Sequence, residues 1–481
     1  MALEERRDPP PTEPLEGRLH LATILLAPLR EVRGLIALVI TGAFAPALAI
    51  GAASVAAVTS IIRWLRFRWR VAEGALVIDQ GLLERRQRVI PIERIQTVEL
   101  VRPLGHRLLG VVQVRIETVG GSKTEGQLEA LAPPVAERLR AVLLGQAFRA
   151  PLHNDQEILA RLAPKTLLLA GLTGGRVGVV AIILGAADQV FGDWLEQLTD
   201  LPARLGARGT IVLVALAALA AFLISVAATA VAYWGFTLMH DDGTLLLRRG
   251  LLEQRLDTIP ARRIQAVRVE ENAVRQLLGL AAVRVEVAGR PGAEAQQTGV
   301  LLPLGRREEA FALVERVLGL EGIGSAPLEP MPARARRRRI VRAALVALVA
   351  LAATAGAVGG FGVAGFLALT LLAPLVAWTV AAYRALGQAE REGVVVARAG
   401  ALVRRTAFVP VTRLASLELS ASPLQRRARL ATLVLQIAGS SAARDPRLRD
   451  LDGSLAQRLL LRLAKEAATA PAQATAPAKR T

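Results

Sequence analysis

The 481-residue chain contains no cysteine. That excludes a disulfide framework and any thiol chemistry, and it leaves the redox compartment unmarked. Histidine is nearly as scarce. His20, His106, His153 and His240 are the four present, and no two of them stand at a metal-ligand spacing, so a zinc or iron centre is not expected. His240-Asp241-Asp242 is the one local cluster of proton carriers, and its place between two strand-like segments reads as a solvated turn. No G-x-S-x-G, no phosphate-cradling loop with lysine and no carboxylate pair that singles itself out is found. The match of residues 360–365 to G-x-G-x-x-G is accidental, because no strand precedes it and no βαβ unit encloses it. These absences argue against an enzyme and imply no cofactor.

Long stretches also lack charge. Hydrophobic residues make up 53% of the chain and the mean hydropathy is +0.40, which points to a membrane protein. Roughly 20 apolar residues span a bilayer. Gly34 to Ile62 carries no charged residue, with Pro46 near its middle; the reading taken is a hairpin over 21–62 turning near Pro46, a single span being the alternative. Leu167–Ala187 and Thr210–Trp234 are separate apolar runs joined by a mostly acidic connection with Asp188, Asp193, Glu196 and Asp200, giving a second hairpin over 165–234. Arg176 lies inside the first of these runs, where it is either a buried functional charge or the point at which the helix proper begins. A third hairpin is expected over 340–382, with glycines 356, 359, 360, 362 and 365 at its centre.

Positive charge is abundant. Lys and Arg number 60 against 41 Asp and Glu, for a formal charge of +19, and nearly all the basic residues are arginine. The arginines lie beside the apolar runs, which favours an anionic membrane surface over nucleic acid. Arg66, Arg68 and Arg70 follow the first run, and Arg336, Arg337, Arg338 and Arg339 precede the third, so these are the candidate contacts to anionic lipid headgroups. The same placement puts both termini and the segments between the hairpins in the cytoplasm of a multi-pass inner-membrane protein. A protein partner or a second copy of the chain is also compatible. The opening 20 residues are a polar tail without a signal-peptide pattern, and 466–481 is a disordered Ala/Pro/Thr-rich tail.

Between the apolar runs a pattern returns three times. Pro91, Pro260 and Pro410 each sit ten residues after a glycine (Gly81, Gly250, Gly400) and twenty-nine before another (Gly120, Gly289, Gly439). Arg94-Ile95-Gln96, Arg263-Ile264-Gln265 and a weaker Arg413-Leu414-Ala415 follow the prolines. Leu108-Leu109-Gly110 and Leu277-Leu278-Gly279 come next, with a broken Arg427-Ala428-Arg429 in the third copy. Val114, Ile116 and Thr118 alternate with Gln113, Arg115 and Glu117, the period of two of a half-buried antiparallel strand. Two more strands are expected within 75–90, and helices close the copies at 135–144, 304–318 and 455–463.

The basic aromatic entry (Trp64, Phe67, Trp69), the I-P-x-x-R-I-Q-x-V run, R-L-L-G-x-x-x-V and the T-x-G-G turn resemble the bacterial pleckstrin-homology domain, and three copies behind membrane segments resemble the YdbT-type membrane proteins. The resemblance implies an α+β membrane protein in which three helical hairpins alternate with three antiparallel β units, each capped by a C-terminal helix. The units would occupy 63–150, 235–320 and a divergent 383–465, with a basic linker at 321–339. A binding or scaffolding role without catalysis follows, the alternative being a transport component whose hairpins line a path. The strand arginines Arg85, Arg86, Arg88, Arg255, Arg404 and Arg405 are further candidates for contact with lipid or an acidic partner.

Overall fold

A computed structural model of the protein describes residues 15–26, 46–81, 85–118, 126–144, 157–174, 201–241, 243–287, 299–358, 374–375, 377–438 and 445–469. The chain forms two compact bodies, one from 1–161 with 234–260 and the other from 162–233 with 261–481.

In the first body a two-residue strand β1 (Glu16–Gly17) precedes helices α1 (Ala22–Leu26) and α2 (Pro46–Arg66). Proline is tolerated at a helix start, where its missing N–H would have no partner, and Arg63 and Arg66 in the last turn suit the negative end of the helix dipole. Strands β2 (Arg68–Ala72) and β3 (Ala75–Gln80) are joined by Glu73 and Gly74, whose φ values of 49° and 71° are both positive, as a two-residue type I′ hairpin requires. Strand β4 (Arg86–Pro91) completes a four-stranded antiparallel sheet in the order β1-β2-β3-β4. Pro91 ends it, and a 3₁₀ turn at 92–94 redirects the chain into β5 (Ile95–Pro103), helix α3 (Leu104–Leu108), strands β6 (Val112–Thr118) and β7 (Gly126–Leu131), and helix α4 (Pro133–Leu143). The two sheets bury Trp69, Leu76, Ile78, Ile90, Ile95, Val98, Val114, Ile116 and Leu128 together with Leu139 and Leu143 of α4. Full burial of each such large side chain contributes about 1.5–3 kcal/mol. Beyond β5 the second sheet continues with β8 (Glu157–Arg161), β9 (Thr237–Asp241), β10 (Thr244–Arg249) and β11 (Glu253–Pro260), in the order β7-β6-β5-β11-β10-β9-β8.

The second body begins with α5 (Pro164–Gly174) and α6 (Leu201–Ala232), the latter broken at Gly206, where φ is 65° and ψ is 178°. They cross closely: a Cβ on Gly171 would stand 2.9 Å from the Val226 Cα. Strand β12 (Ile264–Asn272), helix α7 (Ala273–Leu277), strands β13 (Leu280–Val287) and β14 (Val300–Arg306), helices α8 (Arg307–Leu318) and α9 (Ala333–Val358), and strands β15 (Gly387–Arg391), β16 (Val394–Ala399) and β17 (Val403–Pro410) follow. They form a six-stranded sheet in the order β14-β13-β12-β17-β16-β15. A second sheet of β18 (Leu414–Ser420), β19 (Leu430–Ile437) and β20 (Arg447–Asp452) is connected through α10 (Pro423–Arg427) and closed by α11 (Gly453–Thr469). Val395, Val409, Leu433, Leu435, Leu448 and Leu451 pack with Ala456 and Leu463 of that last helix.

The antiparallel sheets follow the sequence reading, with two boundary corrections. The helix expected from 304 starts at Arg307, because 300–306 pair with β13 as a strand, and the one expected over 455–463 extends over 453–469. The three hairpins are not shown. Among the described residues one helical window, Ala215–Ala232 in α6, is long and apolar enough to cross a membrane. Residues 27–45, 175–200 and 359–373, where the other legs and turns of the expected hairpins fall, lie outside the described residues, as does Arg176. The described helices nevertheless carry exposed apolar side chains, among them Ile50, Val55 and Val58 on α2, Leu216, Leu219 and Leu223 on α6, and Leu345, Leu348 and Val349 on α9.

Candidate functional site

Two strand joints dominate the polar chemistry of the described residues. In the first body β5 pairs with β11, setting Glu99 opposite Asp257, Leu100 opposite Leu256 and Arg102 opposite Gln254. In the second, β12 pairs with β17, setting Arg268 opposite Ala407, Val269 opposite Thr406, Glu270 opposite Arg405 and Glu271 opposite Arg404. Counting from the repeat prolines, these are the same positions in the same register. The second joint is ion-paired: Arg405 lies 3.4 Å from Glu270, while Arg307 at 3.6 Å and Arg404 at 3.9 Å approach Glu271, whose side chain is only 1% exposed. In the first, Arg255 and Arg115 flank Glu253 at 3.0 and 3.9 Å, and Arg249 reaches the buried Asp257 at 3.1 Å. Two of the strand arginines considered for lipid or an acidic partner, Arg404 and Arg405, therefore hold neighbouring repeats together, while Arg255 pairs within its own strand.

Within the second body a cleft of about 640 Å³ opens between the six-stranded sheet and β20. Arg268, Arg284 and Arg405 line one side, balanced by Glu270 and Glu286 at 2.8 to 3.4 Å. Arg447 and Arg449 project from β20, with Asp445 nearby. Partial burial, then Arg339 and Arg447 beside it, push the Arg449 guanidinium down from its ordinary value.

The basic run at the start of α9 divides into two sets. Arg338 and Arg339 both donate to Asp450 of β20, the latter through Nε at 2.7 Å, and Arg334 pairs with Asp452. Arg336 and Arg337 are exposed, as are Arg66, Arg68 and Arg70. No group of His, Asp and Glu able to hold a metal occurs among the described residues. His240 and Asp241 end β9 at its tight turn to β10; Asp242 is outside the described residues.

The repeated landmarks occupy repeated geometry. Gly81, Gly250 and Gly400 have φ values of 133°, 105° and 99°, each before the strand that Pro91, Pro260 and Pro410 end. A Cβ at Gly250 would lie 2.0 Å from the Glu253 carbonyl oxygen, and one at Gly400 would lie 2.0 Å from that of Val403, so only glycine fits. Arg94, Arg263 and Arg413 close the three 3₁₀ turns. The next motif residue but one, Gln96, Gln265 or Ala415, is the extra residue of a β-bulge, because the register slips there in all three copies. Gly110 and Gly279 turn the chain at φ 66° and 64°, where the third copy has Arg429 at 52°. Gly120, Gly289 and Gly439 lie outside the described residues.

A sequence model of the bacterial PH domain matches residues 21–147, 179–321 and 342–467. The chain belongs to the bacterial PH domain family. The transmembrane protein YdbT of Bacillus subtilis (strain 168) is 31% identical to it over 271 residues, covering 51% of this chain and 55% of the relative. The chain thus spans about half the length of that curated relative. No solved structure matches.

In these bacterial PH units the sequence did not mark Asp450, which gathers Arg338, Arg339 and Gln425. Its only signal is a lone acidic pair, Asp450 and Asp452, in the arginine-rich run 447–452. The joints had a fainter trace, the doublet Glu270-Glu271 against Arg404-Arg405. The arrangement joins sheets through arginine–carboxylate pairs.

Proposed function

We propose that the chain is a multi-pass scaffold of the inner membrane, holding three bacterial PH units against the cytoplasmic leaflet and acting by binding rather than catalysis. The observation that carries this reading is the strand joint made twice in one register, which commits the units to one another. Exposed apolar faces on α2, α6 and α9 support membrane placement, as does the transmembrane protein among its relatives. Exposed arginines at 66, 68, 70, 336 and 337, where helices meet β units, suit an anionic leaflet, each contributing about 1 kcal/mol there. Reporter fusions after Gly121, Gly289 and Gly439 test it. All three are expected to report cytoplasm, with one near Glu196 reporting the opposite side; an external β unit overturns the topology.

A further inference from the structure

The joint that links the repeats inside the chain has two unused halves. A β-unit contributes two edges to it: the strand that ends at the repeat proline, as in β11 and β17, and the strand that follows the 3₁₀ turn, as in β5 and β12. The first repeat uses only its second edge and the third repeat only its first. Left over are β4, whose strand partner among the described residues is β3 alone, and β18, which pairs with β19 alone.

Exposure separates the used edges from the unused ones. Phe408 in the second joint is 1% exposed and Thr258, at the same place in β11 beside the first, is 0% exposed, whereas Val89, at that place in β4, is 56% exposed. Leu100 and Val269 are 4% and 0% exposed, whereas Leu419 in β18 is 38% exposed. Open strand edges that offer backbone donors and acceptors beside apolar side chains are templates for a further strand.

We propose that β4 of one copy of this chain pairs antiparallel with β18 of a second copy, reproducing the internal joint between chains. Transferring the shared register sets Glu418 opposite Arg88, Leu419 opposite Gln87 and Ser420 opposite Arg86. The first of these is a charge-complementary pair, and Glu418 is held in place by Gln436 at 3.2 Å. Arginines on β4 do not oppose such pairing: Arg404 and Arg405, at the positions of Arg85 and Arg86, sit inside a joint already made. Because the two edges differ, the contact is heterologous and each dimer keeps one edge of each kind, so assembly continues head to tail until a ring closes or the membrane limits it. This contact between copies is independent of any lipid contact.

The absence of native cysteine makes the test direct. Arg88→Cys and Glu418→Cys would be placed in differently tagged copies, produced in the same membranes and oxidised. A disulfide-linked product carrying both tags is expected, and the double variant should give a ladder of multiples of the chain mass. Val89→Lys with Leu419→Lys, both at exposed positions that leave the monomer fold intact, should abolish the ladder. Same-tag products equal to the mixed one, a double variant linked only within single chains, or a ladder indifferent to the two lysines would each overturn the proposal.

Discussion

Arg339 donates from Nε to Oδ2 of Asp450 at 2.7 Å, and Arg338 reaches the other oxygen of the same carboxylate. The base of α9 is thereby tied to β20 of the third repeat. Asp450 is 1% exposed and stands at φ 61°, a conformation that aspartate and asparagine tolerate better than most residues. Asp450→Ala strands two partly buried guanidiniums and is expected to cost about 3 kcal/mol or more. Asp450→Asn keeps the backbone preference and should cost less. Chemical denaturation of the detergent-solubilised protein checks the order.

The turns were legible in the sequence because each demands a particular residue at a fixed distance, glycine where φ is positive and proline at the strand end before the 3₁₀ turn, whereas the bulge after it, filled by glutamine twice and alanine once, was not. Which strand meets which between repeats was not legible. β4, β11 and β17 carry the same pattern, yet among the described residues only the latter two are paired across repeats, and pairing leaves no spacing to read. The basic run at 334–339 was visible as charge, but its acidic partners lie more than a hundred residues away in β20, so lipid was the nearer inference.

Arg429 offers a stabilising substitution. It holds φ 52° at the position that Gly110 and Gly279 fill with φ 66° and 64°. The left-handed conformation costs an ordinary L-residue about 1–2 kcal/mol, partly offset by the greater freedom glycine has in the unfolded chain. The Arg429 side chain is exposed, so little packing is lost. Arg429→Gly should therefore raise stability by about 0.5–1 kcal/mol, read as a higher melting temperature. Gly279→Arg should lower it by a similar amount.

Glycines in two kinds of turn should respond differently. Gly393 has φ 72° with open space where a Cβ would go, so Gly393→Ala pays for backbone conformation alone, about 1 kcal/mol. Gly400 has φ 99° and a carbonyl oxygen 2.0 Å from the Cβ position. Gly400→Ala must move the start of β17, and with it the joint to β12, at a cost above that of Gly393→Ala and on the order of 3 kcal/mol. Hydrogen exchange should show β12 and β17 losing protection in the second variant and keeping it in the first.

The exposed arginines at the base of α9 separate attachment to lipid from attachment to protein. Arg336 and Arg337 are exposed, whereas Arg338 and Arg339 are spent on Asp450. Near an anionic leaflet the exposed pair contributes about 2 kcal/mol in total, an attraction that decays within a Debye length. Arg336→Gln with Arg337→Gln should therefore raise protease access to the third repeat in anionic vesicles and leave it unchanged in neutral ones, and added salt should mimic the change. Arg338→Gln with Arg339→Gln should raise access in both, because it removes both ion pairs to Asp450 of β20 whatever the lipid. Membrane orientation is checked first in each variant, since arginines beside a span also set topology. If the 336/337 variant matches the parent in anionic vesicles, these arginines do not bind the leaflet and the third repeat is held by its protein contacts to the base of α9, those to Asp450 and Asp452 among them.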